Sequence, residues 1–216
     1  MRIAAVVFPR LTQLDLTGPY EVFSRVADAE LDLVAQSLEP VRSEFGLPIV
    51  PTTTFDRAVQ CDVLFVPGGP GVNDAMLDDR LVAFVRTQAA GARYVTSVCT
   101  GALILGAAGL LRDYRAATHW TAMEFLPRFG AIPVDERVVV DRNRVTSGGV
   151  TAGIDFALRV VAKLRGSEAA RLIELAIEYR PMTDGDSTLV QRVKTGQVNA
   201  QEIRRAAVEK AAGKLR

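Results

Sequence analysis

Runs of consecutive apolar residues alternate along this chain with segments in which apolar residues recur every three or four positions. The short runs are typical of strands buried on both faces of a parallel sheet. They are Arg2–Phe8, Leu31–Ser37, Asp62–Val66 and Arg93–Val98. Among the intervening segments, Asp79–Ala90 has its apolar residues on one side of a helix, so the pattern predicts an amphipathic helix there.

Turn residues and helix signals predict the remaining elements. A helix is expected to begin at Gly18-Pro19, with Pro19 in its first turn, and to run to about Ala27, which leaves Pro9–Thr17 as a loop. The segment Pro40–Thr54 is irregular or hairpin-like, and Arg137–Thr146 resembles a hairpin whose turn contains Asn143, a residue that tolerates positive φ. Further helices are predicted at Gly101–Leu111, at Thr151–Leu164, at Ser167–Tyr179 (with Ser167 as its N-cap) and at Asn199–Lys214, and another follows Ala116–Trp120 and runs to about Phe129.

The alternation of strands and helices favours an α/β fold with a doubly wound, mostly parallel sheet and helices on both faces. A length of 216 residues suits one domain. We expect residues 1–183 to form its main body and 184–216 to form a C-terminal helical extension, after a linker at Pro181–Asp186.

Composition narrows the classes of function. The net charge is +1, with no basic block, so nothing in the charge pattern favours a nucleic acid or a membrane surface as a partner. The apolar N-terminus is too short to cross a membrane. Two cysteines, Cys61 and Cys99, suit a reducing cytoplasm, and a single histidine, His119, makes a zinc site improbable.

Cys99 is the strongest candidate for chemistry. The sequence around it predicts a strand that delivers the cysteine into a sharp turn, followed by a helix of small residues from Gly101, which is the arrangement of a nucleophile elbow. A helix N-terminus favours the thiolate, so we expect a lowered pKa. The alternative is a buried structural thiol, and for Cys61 that is the expected role.

Loops that follow neighbouring parallel strands converge on one crevice, and three of them carry polar groups. They are Thr12–Pro19, Pro67–Gly71 and Cys99–Gly101. Asp15 would there share one proton with Cys99, unless it only caps the following helix. Gly68 and Gly69 would offer backbone N–H groups to a developing negative charge, or form a simple tight turn. Thr100 would offer its N–H and hydroxyl, or only complete the turn.

Several segments together resemble the ThiJ/PfpI superfamily, a branch of the class I glutamine amidotransferase-like fold. The segments are Gln13–Pro19, Pro67–Gly69, Ala92–Gly101, Ala117–Trp120 and Gly148–Phe156. The resemblance covers residues 2–180, and within the superfamily it is greatest to members that hydrate isocyanides. The sensor domains of some AraC-type regulators look similar.

The resemblance implies a flavodoxin-like fold, a homodimer and no metal or organic cofactor. It implies that Cys99 attacks a small-molecule isocyanide to give a thioimidate, that Asp15 acts as acid and base, and that Thr100 assists. The residues expected to contact substrate are Gly68, Gly69, His119, Trp120, Gly148 and Val150, although packing roles are the simpler interpretation for His119 and Trp120. Thr100 stands where the protease-like branch has histidine, which argues against a peptidase.

Three alternatives remain open at this stage. A glyoxalase or deglycase acting on 2-oxoaldehydes would use the same thiol and carboxyl. A redox sensor would use oxidation of Cys99 as its signal. A ligand-sensing regulator would need a helix-turn-helix region of roughly a hundred residues, whereas about 32 residues follow Asp184, and they show no recognition-helix pattern.

Overall fold

A seven-stranded sheet forms the centre of the computed structural model, which describes residues 1–179 and 198–215. The strands along the described chain are β1 (Arg2–Val6), β2 (Glu30–Ala35), β3 (Val41–Arg42), β4 (Pro48–Ile49), β5 (Thr53–Thr54), β6 (Val63–Val66), β7 (Tyr94–Val98), β8 (Arg115–Ala116), β9 (Ile132–Pro133), β10 (Val138–Asp141) and β11 (Arg144–Ser147). Their order in the main sheet is β10-β11-β7-β6-β1-β2-β5. Neighbours run parallel except β10 and β11, which form the predicted hairpin.

The helices pack in two groups. They are α1 (Gln13–Phe23), α2 (Val72–Ala75), α3 (Asp79–Gly91), α4 (Gly101–Ala107), a 3-10 helix (Trp120–Phe129), α5 (Ala152–Arg165), α6 (Ser167–Ala176) and α7 (Val198–Gly213). Helices α1, α5 and α6 pack together, whereas α7 packs on α2, α4 and the 3-10 helix. The predicted doubly wound α/β fold, with helices on both faces of a mostly parallel sheet, is confirmed. Among the described helices, none has the length and apolar character that a membrane span requires.

The first helix begins five residues earlier than predicted. It starts at Gln13 and ends at Phe23, so most of the expected loop Pro9–Thr17 is wrong and Pro19 lies inside the helix. A Gly-Pro pair normally marks a boundary, because proline within a helix removes its own N–H bond and its ring crowds the carbonyl four residues earlier. Here the burial of Leu16 and Val22 compensates for that cost. The consequence is that Asp15 belongs to the first helical turn.

Smaller corrections concern three predicted features. The helix predicted to end at about Phe129 is a 3-10 helix that begins at Trp120, and Gly166 rather than Ser167 is the N-cap of α6. The positive φ of the β10–β11 turn falls on Arg142, at 50°, and not on Asn143. The predicted linker Pro181–Asp186 and the boundary between 183 and 184 lie outside the described residues, so the division of the chain remains a prediction.

Aromatic packing fixes α1 against the sheet. The ring of Phe23 lies edge-on to Phe65 of β6 and Phe156 of α5, with centroid separations of 6.0 and 6.1 Å. All three rings are fully buried. Edge-to-face pairs of this kind add about 0.5–1.5 kcal/mol each beyond area burial. They hold the C-terminal half of α1, and therefore the direction in which its first turn points.

Candidate active site

Four loops at the carboxyl ends of β1, β6, β7 and β11 meet at one edge of the sheet, where they surround a cavity of about 550 Å³. Its walls include Thr12, Gly69, Cys99, Thr100, His119 and Arg204. The three segments predicted to converge do so, because the central strands are parallel and adjacent, although Thr12–Pro19 is mostly the start of α1 and not a loop. The cavity is therefore the candidate active site.

Cys99 occupies the turn between β7 and α4 in a strained conformation. Its φ is 54°, a value that non-glycine residues seldom adopt. Its N–H donates to the carbonyls of Ser147 and Gly148, at 3.1 and 3.2 Å, and its carbonyl accepts from the Thr118 hydroxyl at 2.7 Å. These three bonds keep the turn in place, as a nucleophile elbow requires.

Two glycines let the backbone approach Cys99 closely. A Cβ added to Gly68 would lie 2.6 Å from the backbone nitrogen of Thr100, and one added to Gly149 would lie 2.6 Å from the Cys99 sulfur. Both distances are shorter than any side chain tolerates. Gly68 was predicted as a site residue, but Gly149 was not singled out, because only the folded structure shows its contact with the sulfur.

Asp15 is completely buried next to Cys99, and neither of its carboxyl oxygens has a partner at hydrogen-bonding geometry. Burial raises the pKa of Asp15 to about 7. The Cys99 thiol and the Gly68 N–H oppose this rise, whereas the charge of Glu44 adds to it. A carboxyl that only capped the helix would accept from N–H groups of α1, and Asp15 has no such bond, so the capping alternative does not fit.

The expected lowering of the Cys99 pKa is wrong for this site. Burial raises the pKa well above its usual value, and the neighbouring Asp15 carboxyl raises it further. The Thr100 N–H at the start of α4 and the charge of Arg204 act in the opposite direction, but burial outweighs them. Burial favours the neutral, protonated form of both acids. The Cys99–Asp15 pair therefore carries at most one negative charge near neutral pH.

Thr100 joins two of the converging loops. Its hydroxyl accepts from the Gly69 N–H at 2.9 Å and donates to the Gly69 carbonyl at 3.2 Å. The expectation that Gly68 and Gly69 offer free N–H groups to a substrate is therefore wrong for Gly69, whose N–H is already used, while that of Gly68 faces Asp15. Thr100 keeps its own N–H directed at the sulfur.

His119 lies in the cavity wall at the start of the 3-10 helix. Its Nδ1 is 2.8 Å from the Thr121 hydroxyl and also accepts from the Thr121 N–H at 3.4 Å. Burial, together with the charge of Arg204, lowers the pKa of His119 to about 4, so the ring is neutral at physiological pH. His119 therefore faces the site and is not simply a core residue.

The other predicted contact residues differ in position. Val150 lies in the cavity wall, while Gly148 contributes its carbonyl to holding Cys99. Trp120 does not belong to the wall, and its ring packs beside His119 at a centroid separation of 5.5 Å. Its expected contact with substrate is not supported, because Trp120 is not among the residues that line the cavity.

Sequence reasoning missed two charged residues in the cavity wall. Glu44 comes from the β3–β4 hairpin and accepts from the Thr12 hydroxyl at 2.8 Å, and Arg204 comes from α7. Neither residue belongs to a sequence motif that would have identified it.

A second cavity, of about 460 Å³, lies at the ends of β1 and β2 and has no cysteine or histidine in its wall. Within residues 1–179 and 198–215, no His, Cys, Asp and Glu side chains group as a metal site would need.

Comparisons with known proteins place the chain in one family and identify similar proteins. The model of the DJ-1/PfpI family matches residues 1–163. The isonitrile hydratase of Pseudomonas putida is 47% identical, over 100% of this chain and 98% of its own length. The crystal structure of a ThiJ/PfpI family protein from Pseudomonas syringae has a TM-score of 0.91 and 41% identity, covering 96% of this chain and 90% of that one. The HTH-type transcriptional regulator GbdR of Pseudomonas aeruginosa is 33% identical over 73% of this chain but only 44% of its own length.

Proposed function

This chain belongs to the DJ-1/PfpI family, and we propose that it is a hydro-lyase, an isonitrile hydratase that converts an isocyanide and water into an N-substituted formamide. The observation that carries the proposal is that Cys99, in the wall of the cavity, is buried beside Asp15, and that the two together carry at most one negative charge near neutral pH. The full-length similarity to the hydratase from Pseudomonas putida supports the choice of substrate.

The first half of the reaction uses the singly ionised pair as thiolate and carboxylic acid, the form reached when the Cys99 proton moves to the Asp15 carboxylate, because the pKa of Cys99 lies above that of Asp15. The Cys99 sulfur forms a bond to the terminal carbon of R–NC, and Asp15 delivers its proton to the same carbon. The product is a thioimidate, R–N=CH–S–Cys99, beside an ionised Asp15. A carboxyl whose pKa is about 7 is suited to this step because it holds a proton at neutral pH yet releases it easily.

The second half returns the pair to its starting state. The Asp15 carboxylate takes a proton from water as the oxygen adds to the thioimidate carbon, and that proton passes to the nitrogen. Asp15 then removes the hydroxyl proton while the carbon–sulfur bond breaks. The formamide R–NH–CHO leaves, and Cys99 is again a thiolate beside a protonated Asp15.

The surrounding residues have proposed supporting roles. The Thr100 N–H is directed at the sulfur and stabilises the thiolate, while the Thr100 hydroxyl holds the Gly69 turn in place. Gly68 leaves space for this contact, and Gly148 holds the Cys99 turn. Neutral His119 and the apolar side chain of Val150 are proposed to contact the substrate.

We extend the proposal to assembly and location. The resemblance noted in the sequence implies a homodimer, and exposed Leu172 and Leu175 on α6 offer apolar surface that a second copy would cover. Two free cysteines, Cys61 and Cys99, fit a reducing cytoplasm.

Formamide production from cyclohexyl and aryl isocyanides, followed by chromatography, tests the function. We expect Cys99→Ala to lower kcat/KM by about 10³-fold or more, because the covalent route is lost. Asp15→Asn should lower it by about 10²-fold or more, because the proton is no longer delivered. Cys61→Ala is the matched control: Cys61 is also buried but lies outside the cavity, so its loss should leave turnover nearly unchanged.

Two outcomes would contradict the proposal. If the folded wild-type protein forms no formamide, the substrate is wrong and a 2-oxoaldehyde becomes the next one to test. If Cys99→Ala or Asp15→Asn turns over at the wild-type rate, the roles of these two residues are wrong.

A further inference from the structure

The C-terminal helix α7 brings a positive charge into the active site. Its residues Ala207, Val208 and Ala211 are buried against the 3-10 helix and α4. Arg204 precedes them by three, four and seven positions, so it lies on the same face of the helix. Burial of that apolar face therefore directs Arg204 towards the cavity, whose wall it helps to form.

Arg204 is hydrogen-bonded to the residue that holds His119. Its Nη1 donates to the Thr121 hydroxyl at 3.0 Å, and that hydroxyl lies 2.8 Å from His119 Nδ1. Because the hydroxyl oxygen accepts from Arg204, its single proton is available for Nδ1. The Thr121 N–H also points at Nδ1, so this nitrogen accepts and the ring proton lies on Nε2.

The guanidinium has no counter-ion of its own among residues 1–179 and 198–215. Its Nε is buried without a hydrogen-bond partner, whereas the next residue, Arg205, pairs with Glu124 at the surface. Leaving a buried charged donor unpaired costs free energy. The negative charge that Arg204 can stabilise is that of the Cys99–Asp15 pair, because the positive charge of Arg204 acts to lower the pKa of Cys99.

We propose that Arg204 is a positioning residue of the active site: its charge favours the thiolate of Cys99 over the carboxylate of Asp15, and through Thr121 it holds His119 as a neutral ring protonated on Nε2. The pair can place its one negative charge on either residue. Asp15 also faces the negative charge of Glu44, which disfavours the carboxylate from the other side. Glu44 and Arg204 thus act together to favour the form that attacks.

The single histidine of the chain allows one half of the proposal to be measured directly. In untagged full-length protein labelled with ¹⁵N, the two ring nitrogens of His119 report both tautomer and titration. We expect the wild-type ring to be protonated on Nε2 and to stay neutral above pH 5. In Arg204→Met, the loss of a nearby positive charge should raise the pKa of His119 by about one pH unit.

The rate of Cys99 alkylation by iodoacetamide against pH measures the other half, with the modified residue identified by mass spectrometry. Arg204→Met should move the midpoint of the profile up by about one pH unit and slow alkylation at pH 7.5 about tenfold. Arg204→Lys should retain much of the effect on the thiol, because it keeps the charge. Arg205→Met is the matched control: it removes the adjacent, exposed arginine and should change neither readout.

The proposal is overturned if Arg204→Met has the wild-type alkylation profile and the wild-type His119 titration, or if Arg205→Met shifts them equally. Thermal unfolding of each variant checks folding, and if Arg204→Met does not fold, Thr121→Val and Arg204→Lys still test the relay to His119. The catalytic significance rests on the proposed hydratase function. Neither readout uses an isocyanide, however, so failure of that function and failure of this inference are distinguishable.

Discussion

Asp15 has to release a proton and take one back in each proposed turnover, and its surroundings suit both tasks. Burial of the carboxyl raises its pKa to about 7, although the Cys99 thiol and the Gly68 N–H oppose the rise. A group with a pKa near the working pH is close to the optimum for acid–base catalysis. Burial of this kind destabilises the ionised carboxylate, which is typical of an aspartate with a catalytic role and not of a structural one.

The dependence of kcat/KM on pH should report this pair. The fully protonated pair is inactive because it has no thiolate, so we expect kcat/KM to rise about tenfold per pH unit on the acid side of pH 7 and to level off above it. It should fall again in the alkaline range, where the raised pKa of Cys99 marks loss of the second proton.

Steady-state formamide production at a series of pH values checks the profile, with the spontaneous acid hydrolysis of the isocyanide subtracted using enzyme-free samples. A kcat/KM that is constant between pH 5 and 8 would contradict the assigned pKa of Asp15.

The identities of Cys99 and Asp15 were predictable because each belongs to a short motif that a strand end places at the same edge of the sheet. The ionisation of Cys99 was not predictable in the same way. A helix N-terminus lowers a thiol pKa by a local effect, but burial depends on residues distant in the sequence. Arg204 and Glu44 were missed for the same reason, since they come from remote elements.

At the scale of elements, the connection between β11 and α5 determines how much space the nucleophile has. Gly149→Ala should reduce kcat/KM at least about tenfold, because its Cβ would lie 2.6 Å from the sulfur and displace it from Asp15. Gly148→Ala is the matched control: its Cβ would meet only the Thr118 carbonyl, at 3.8 Å, and should be tolerated. Turnover and thermal unfolding of both variants decide the question, and equal effects of the two would contradict the steric explanation.

The elements themselves were predicted with uneven success. Long apolar runs located β1, β6 and β7 to within two residues, because a strand buried on both faces leaves little ambiguity. The start of α1 was misplaced because a Gly-Pro pair has strong local preferences that the packing of Phe23 and its neighbours overrides. Helix α7 was predicted, but its docking site was not, since an alanine-rich helix has a weak apolar face.

For the whole molecule, the buried Asp15 carboxyl is a source of instability. Its folded pKa of about 7 exceeds the unfolded value of 3.8, so the folded state binds more protons between these pH values. The free energy of unfolding should therefore fall as pH rises from about 4 to 7, by a few kcal/mol at most. Asp15→Asn cannot ionise, so relative to wild type it should gain stability over this range.

Urea unfolding of wild type and Asp15→Asn at pH 5 and pH 8 measures the effect. The difference between the two proteins should be larger at pH 8, with the variant the more stable. A difference that does not change with pH would show that the Asp15 carboxyl is ionised equally easily in both states.

The placement of Arg204 on the last described helix also has a consequence for synthesis. Cys99 and Asp15 are made early, whereas Arg204 follows Cys99 by about a hundred residues, which corresponds to roughly 5–20 s at the usual rates of translation. During that interval the nascent chain carries its nucleophile without the cation that we propose activates it. The reactivity of the thiol would thus be delayed until α7 has left the ribosome and docked.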